Sequence, residues 1–135
     1  MATTTHFEQL VHAASAQTQP QRLLFVFAAA GLPDAPTPVQ RQRFAAGDGG
    51  TLTPLMCVDK GVAELVSFER LAVESRQVGP PWNVVFAAGI SGRDGQPPSA
   101  ELIETALEAM VRRVRQGKLA SLLAFGPQGE ALHFE

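Results

Sequence analysis

Four charged side chains follow two apolar segments of the sequence, and they form a first candidate for a binding site. The segments are residues 52–58 and 82–90, and the charged side chains after them are Asp59, Lys60, Arg93 and Asp94. If both segments are parallel strands, these side chains lie beyond the carboxyl ends of the sheet, where such sheets bind ligands. A lysine, an arginine and carboxylates in one crevice could hold an anionic ligand. Loops are also polar because they lie in water, and that simpler interpretation needs no site.

Cys57 is the single cysteine of the chain, and it stands two residues before Asp59. A nucleophilic thiol needs exposure and a nearby base. No histidine is close to Cys57 in the sequence, so we expect a buried and unreactive thiol. One cysteine also excludes an internal disulfide and a cysteine zinc cluster.

No other residue pattern predicts a metal, a cofactor or a catalytic set. His6 and His12 are six residues apart, which places them on opposite sides of a helix, and His133 is remote. The glycine-rich stretches 47–50 and 89–95 lack the spacing of phosphate-binding and dinucleotide-binding loops. We therefore expect no cofactor and no metal, and the sequence leans against an enzyme.

Alternating helices and strands must position these residues. Helical periodicity and capping residues predict helices over 5–17, 37–46, 62–77 and 99–116, and apolar segments predict strands over 23–30, 52–58, 82–90, 119–125 and 131–134. The alternation favours a single α/β domain over residues 1–135, with a mainly parallel or mixed sheet of four to five strands and about four helices. A two-layer α+β fold is the alternative, because Pro54 and the C-terminal hairpin weaken a parallel arrangement.

Several elements carry specific local signals. Thr5 and Glu8 have the spacing of a capping box at a helix start. Residues 23–30 are apolar on both faces, which is typical of a central strand, whereas Pro54 cannot donate to a ladder and indicates an edge or a bulge. The last helix has one apolar stripe at helical spacing, formed by Ile103, Ala106, Leu107, Met110, Val111 and Val114.

A short internal echo suggests a duplication of an αβαβ unit. Residues 7–10 (FEQL) recur as residues 68–71 (FERL), and residues 27–31 (FAAAG) recur as residues 86–89 (FAAG). If the halves are related, Glu69 corresponds to the capping residue Glu8. Alanine and phenylalanine are common in this chain, so chance similarity of two βα units is the alternative.

Composition narrows the class of partner. The 135-residue chain has a net charge of −2, which argues against a nucleic-acid binder. Its apolar runs are far shorter than the roughly 20 residues of a membrane helix, and the N-terminus lacks the pattern of a secretory signal. We therefore expect a cytoplasmic protein with no nucleic-acid or membrane partner. Broad apolar faces make self-association plausible.

The segments PQRLLFVFAAAGLP, LTPLMCVDK, ESRQ and PWNVVFAAGISGR resemble a family of small proteobacterial proteins. Members often carry the label "ribonucleotide reductase subunit alpha", and the resemblance covers most of the chain. That reaction needs a thiyl-forming cysteine and a reducing cysteine pair, whereas this chain has Cys57 alone. The resemblance implies a bacterial cytoplasmic protein and assigns no catalytic residue.

Two functions remain open from the sequence. The first is a non-catalytic protein-interaction or regulatory module that acts through a protein partner or its own dimer. The second is a protein or enzyme that binds a small anionic ligand or nucleotide with the loops after the second and third strands. A pocket joining Lys60 and Arg93 would favour the second function, and an apolar patch elsewhere would favour the first.

Overall fold

The computed structural model describes residues 5–31, 38–39, 51–65 and 67–132. Its helices are α1 (His6–Ser15), α2 (Phe68–Val78) and α3 (Ala100–Gln116), with a short 3-10 helix at Val62–Glu64. Its strands are β1 (Gln21–Gly31), β2 (Thr51–Gly61), β3 (Val84–Ser91), β4 (Leu123–Phe125) and β5 (Ala131–Leu132). The predicted helix over 37–46 lies outside the described residues, except that Pro38 and Val39 are helical.

The five strands form one sheet in the order β2-β1-β3-β4-β5, and every neighbouring pair is antiparallel. The prediction of a mainly parallel or mixed sheet with about four helices is therefore wrong, and the fold is of the α+β class. The connection between β1 and β2 is long enough for a parallel crossover. A long connection permits a parallel crossover but does not require one. Here β2 pairs antiparallel with β1.

Helices cover both faces of the sheet, which gives three layers and two cores. On the face that we call the α1/α2 face, Phe25 and Phe27 of β1 pack with Phe7 of α1 and Leu71 of α2. On the opposite α3 face, the alternate residues of β1 pack against α3 through Met110 and Val114. The alternative prediction of a two-layer α+β fold is therefore also wrong in its number of layers, because helices pack on both faces of the sheet. Burial of both faces explains the apolar run of β1, which is predicted correctly as a central strand.

Aromatic side chains pack against one another on the α1/α2 face. Phe7 makes edge contacts with Phe68 and Phe125, with ring centroids 5.3 and 5.8 Å apart. Phe27 meets Trp82 in the same geometry at 5.0 Å. Such T-shaped pairs contribute about 0.5–1.5 kcal/mol each beyond their buried area.

The predicted helix boundaries hold where a cap specifies them. Thr5 Oγ1 accepts from the Glu8 backbone N–H at 3.0 Å, and both halves of the capping box are present. Ser99 caps α3, and Gly117 ends it at φ 72°, a left-handed conformation that favours glycine. The predicted helix over 62–77 is not continuous, because Ser67 caps a new helix that begins at Phe68.

β2 lies at an edge of the sheet, as Pro54 predicts. The register against β1 shifts between Phe27 and Ala28, which oppose Met56 and Pro54, so Leu55 is the extra residue of a bulge. Pro54 therefore marks both an edge and a bulge, the two positions where a strand tolerates a missing N–H.

The internal echo does not correspond to equivalent positions. Phe27 packs on the α1/α2 face, whereas its counterpart Phe86 packs on the α3 face. The helix echo is also offset, because Glu8 is the third residue of α1 and the third residue of α2 is Arg70 rather than Glu69. The αβαβ duplication is therefore not part of the corrected fold. Within the described ranges, no helix has the length and apolarity to cross a bilayer.

Candidate functional site

β2 and β3 run in the same direction on either side of β1, so both strands finish at one end of the sheet. Asp59 and Lys60 are predicted to follow the second strand, but β2 continues to Gly61 and contains both, whereas Arg93 and Asp94 follow β3. Arg22 of β1 opposes both Gly61 of β2 and Ile90 of β3. Two strand spacings, about 10 Å, separate the two strand ends. β1 stands between them, and the groove and cavities that Asp59 and Lys60 line do not include Arg93 or Asp94.

Asp59 is held in an ion-pair network on the α3 face. Arg22 Nε donates to Asp59 Oδ2 at 2.7 Å, and Arg22 Nη1 lies 3.1 Å from Glu64 Oε1. The hydrogen bond to Asp59 is the largest of the effects that raise the pKa of the Arg22 guanidinium. This network anchors β2 to β1. It remains open to solvent, because the Asp59 and Arg22 side chains are each about 30% exposed.

Glu64 completes the network from the 3-10 helix. Its Oε1 accepts the Gly61 backbone N–H at 2.9 Å. This hydrogen bond is the main cause of the lowered pKa of Glu64, and the positive charge of Arg22 adds to the effect. The carboxylate thereby fixes the chain where it leaves β2.

Lys60 points to the opposite face of the sheet. Its register partner is Leu23, a residue of the α1/α2 core, and its Nζ lies 3.3 Å from Glu74 Oε2 of α2. Lys60 and Glu74 line a cavity of about 200 Å³ together with apolar side chains, and Arg93 does not line it. Asp59 and Lys60 are adjacent in the sequence, but their side chains therefore lie on opposite faces of the sheet.

Arg93 and Asp94 belong to a tight turn. Arg93 and Gln96 exchange two backbone hydrogen bonds of 3.0 and 2.9 Å, and Asp94 and Gly95 adopt φ values of 55° and 77°. Asp-Gly with two positive φ angles is the combination that a two-residue type I′ turn requires. Gln19 Oε1 accepts the Gly95 backbone N–H at 2.8 Å and ties the turn to the loop before β1. A ligand site formed by Asp59, Lys60, Arg93 and Asp94 stays a prediction.

Cys57 is exposed, contrary to the buried thiol that the sequence predicts. Its register partner is Val26, so it lies on the α3 face of the edge strand. The prediction is wrong because other elements cover only part of an edge strand. The residues next to Cys57 in the sequence do not show which part is covered.

Cys57 lines a groove of about 670 Å³ between β2 and α3, which we call the β2–α3 groove. Asp59 lines it from the same strand. The wall formed by α3 has a half-buried apolar strip of Ile103, Leu107 and Val111. Exposed charges border that strip, namely Glu104, Glu108, Arg112 and Arg115.

Sequence reasoning placed the apolar strip in the core and did not predict the groove. The signal was present in the width of the stripe on α3. Met110 and Val114 are buried against the sheet, and Val111 extends the stripe towards β2 beyond what the core covers. Periodicity shows that a stripe is wide, but it does not show how much of the stripe the sheet covers.

Comparisons of this chain with protein families, with curated proteins and with solved structures found no match. The resemblance to the small proteobacterial proteins therefore stays a prediction. Among the described residues, no cluster of three or more histidine, cysteine, aspartate or glutamate side chains could hold a metal ion.

Proposed function

We propose that this protein is a cytoplasmic protein-interaction module and that the β2–α3 groove is its contact surface. The observation that carries the proposal is the half-buried apolar strip of α3 beside the edge strand β2. Exposed apolar surface with a charged border is typical of protein-binding sites. An edge strand adds backbone groups with which a partner can pair.

The alternative, a binder of small anionic ligands, has weaker support. It rests on Lys60 and Arg93, and the cavities that Lys60 lines do not include Arg93. Lys60 is also paired with Glu74, which neutralises the charge that an anion would meet. The groove itself has carboxylates as well as guanidinium groups on its border.

The proposal can be tested through the single cysteine of the chain. A photoactivatable benzophenone maleimide attached to Cys57 is irradiated in fresh cytosol. The matched control carries the same probe at Leu102→Cys in a Cys57→Ser background. Leu102 is 48% exposed on α3 but does not line the groove.

We expect covalent protein adducts, a second copy of the chain included, from the Cys57 probe and not from the control probe. Absence of any protein adduct from Cys57 would remove the support for an interaction module. A thermal-shift screen with phosphate and nucleotides tests the alternative in parallel. Stabilisation that is lost in both Lys60→Ala and Arg93→Ala would favour the ligand-binding function.

A further inference from the structure

We infer that the partner in the β2–α3 groove is a second copy of this chain, related by a twofold axis perpendicular to the sheet. This inference rests on the proposed function and names its partner. In the dimer, the part of β2 after Pro54 and the Leu55 bulge, residues 56–61, pairs with the same part of the other copy, and the two sheets become continuous. The α3 helices then lie side by side and antiparallel on the same face, above the junction of the sheets.

The charges on the groove side of α3 are arranged for antiparallel self-pairing. Glu104 lies in the first half of the helix, Glu108 lies at its centre, and Arg112 and Arg115 lie in the second half. In an antiparallel pair of helices, Glu104 of one copy faces Arg115 of the other, and Glu108 faces Arg112. The two pairs have midpoints half a residue apart, which is about 0.8 Å along a helix. One twofold axis therefore serves both pairs.

Glu108 and Arg112 are opposite charges four residues apart, which is the spacing of a helical ion pair. Within the part of the chain that the structure describes, none of the four side chains makes an ion pair. Glu104 and Glu108 are instead like charges four residues apart, and Arg112 and Arg115 are like charges three residues apart. Like charges at such spacings destabilise an isolated helix. Antiparallel pairing adds attractions between the copies that offset both repulsions.

The spacing of the layers also fits two adjacent helices. α3 packs over β2 and β1. A helix axis above the line between these strands is set back about 2.4 Å from β2, since strands are about 4.8 Å apart. A β2–β2 junction then places the two α3 axes about 10 Å apart, the upper end of the usual range for packed helices. Ile103, Leu107 and Val111 of each copy fill the space between them.

A charge-swap experiment on exposed residues tests the geometry. Analytical ultracentrifugation at low ionic strength compares the wild type with Glu104→Arg and Arg115→Glu, each alone and mixed. Each single variant places like charges opposite each other twice in its homodimer. We expect the dissociation constant of each homodimer to rise about tenfold. In the equimolar mixture the opposite charges face each other again, so a heterodimer should form with wild-type affinity.

Two further variants complete the design. The double variant Glu104→Arg/Arg115→Glu should restore the homodimer, because the charges are exchanged and remain complementary. Leu102→Lys is the control. Leu102 is exposed on α3 but does not line the groove, so this substitution should leave dimerisation unchanged. Melting curves verify that each variant is folded. Since both charged residues are exposed, no loss of stability is expected.

A wild-type protein that remains monomeric at about 100 µM would overturn the inference. Single variants that dimerise like the wild type, or a mixture that stays monomeric, would overturn the antiparallel arrangement of α3. The interaction module itself survives a monomeric result if the Cys57 probe still captures another protein. Both proposals fail if the chain is monomeric and the Cys57 probe captures nothing.

Discussion

The indole Nε1 of Trp82 donates a 2.8 Å hydrogen bond to Ser75 Oγ, and Ser75 in turn donates to the Ala72 carbonyl at 2.6 Å. Ser75 is the one polar residue in the described core, and Trp82 is 6% exposed. Trp82 lies just before β3 and Ser75 lies on α2, so this hydrogen bond joins two elements that are consecutive along the chain. Trp82 packs in the core of the α1/α2 face.

Ser75→Ala should destabilise the protein by about 1–3 kcal/mol, because it leaves the buried indole N–H without an acceptor. Urea denaturation measures the change in the free energy of unfolding. Ser15→Ala is the matched control, since Ser15 Oγ also donates to a carbonyl one turn earlier, that of His12, but at the surface. The control should change stability by less than about 0.5 kcal/mol. Equal effects of the two substitutions would contradict the buried role of Ser75.

Met110→Asp should unfold the protein, because Met110 is 4% exposed and packs in the α3-face core. A carboxylate there has no partner, and burying an unpaired charge costs more than the several kcal/mol that a domain of this size can lose. Circular dichroism at 25 °C should show loss of helix. Leu102→Asp, at an exposed position of the same helix, should remain folded. An unchanged melting curve for Met110→Asp would show that the register of α3 is wrong.

Glu64 should make folding stability depend on pH in the acid range. The pKa of Glu64 is lowered in the folded protein from an ordinary value of 4.5. Its stabilisation is therefore fully present above the unfolded pKa and is lost as the pH falls through the folded pKa. Wild type should be more stable than Glu64→Gln at pH 6, and the difference should shrink as the pH falls below 4.5. A difference in denaturation midpoint that persists at acid pH would count against this role.

Cys57 should react quickly with a thiol reagent in the folded protein at high dilution, because it is exposed. In the proposed dimer the groove is occupied, so labelling should slow as the protein concentration rises. The control is Ala28→Cys in a Cys57→Ser background, where position 28 is fully buried and should resist labelling at every concentration. Slow labelling of Cys57 in a dilute monomer would restore the buried thiol that the sequence predicts.

Local signals in the sequence determined most element boundaries. Thr5 with Glu8 marks the start of α1, and Gly117 marks the end of α3. These features depend on hydrogen bonds within a few residues, so the chain encodes them without reference to the rest of the fold. The apolar run of β1 and the proline in β2 also predicted a central strand and an edge strand correctly.

Strand direction, in contrast, was decided by the tertiary structure. An apolar run such as that of β1 looks the same in a parallel and an antiparallel sheet, because only burial on both faces shapes it. The alternation of helices and strands favoured a parallel sheet, whereas Pro54 and the C-terminal hairpin argued against it, and none of these signals fixes strand direction. The position of β1 between β2 and β3 separates the ends of those two strands, where the candidate site residues lie.

The candidate site followed the same division. The sequence by itself determined that Arg93 and Asp94 follow a strand and that α3 has an apolar stripe. Only the tertiary structure decided that Asp59 and Lys60 serve opposite layers and that Cys57 is exposed in a groove. The physical reason is that exposure depends on which surfaces another element covers, and residues far apart in the sequence provide that cover.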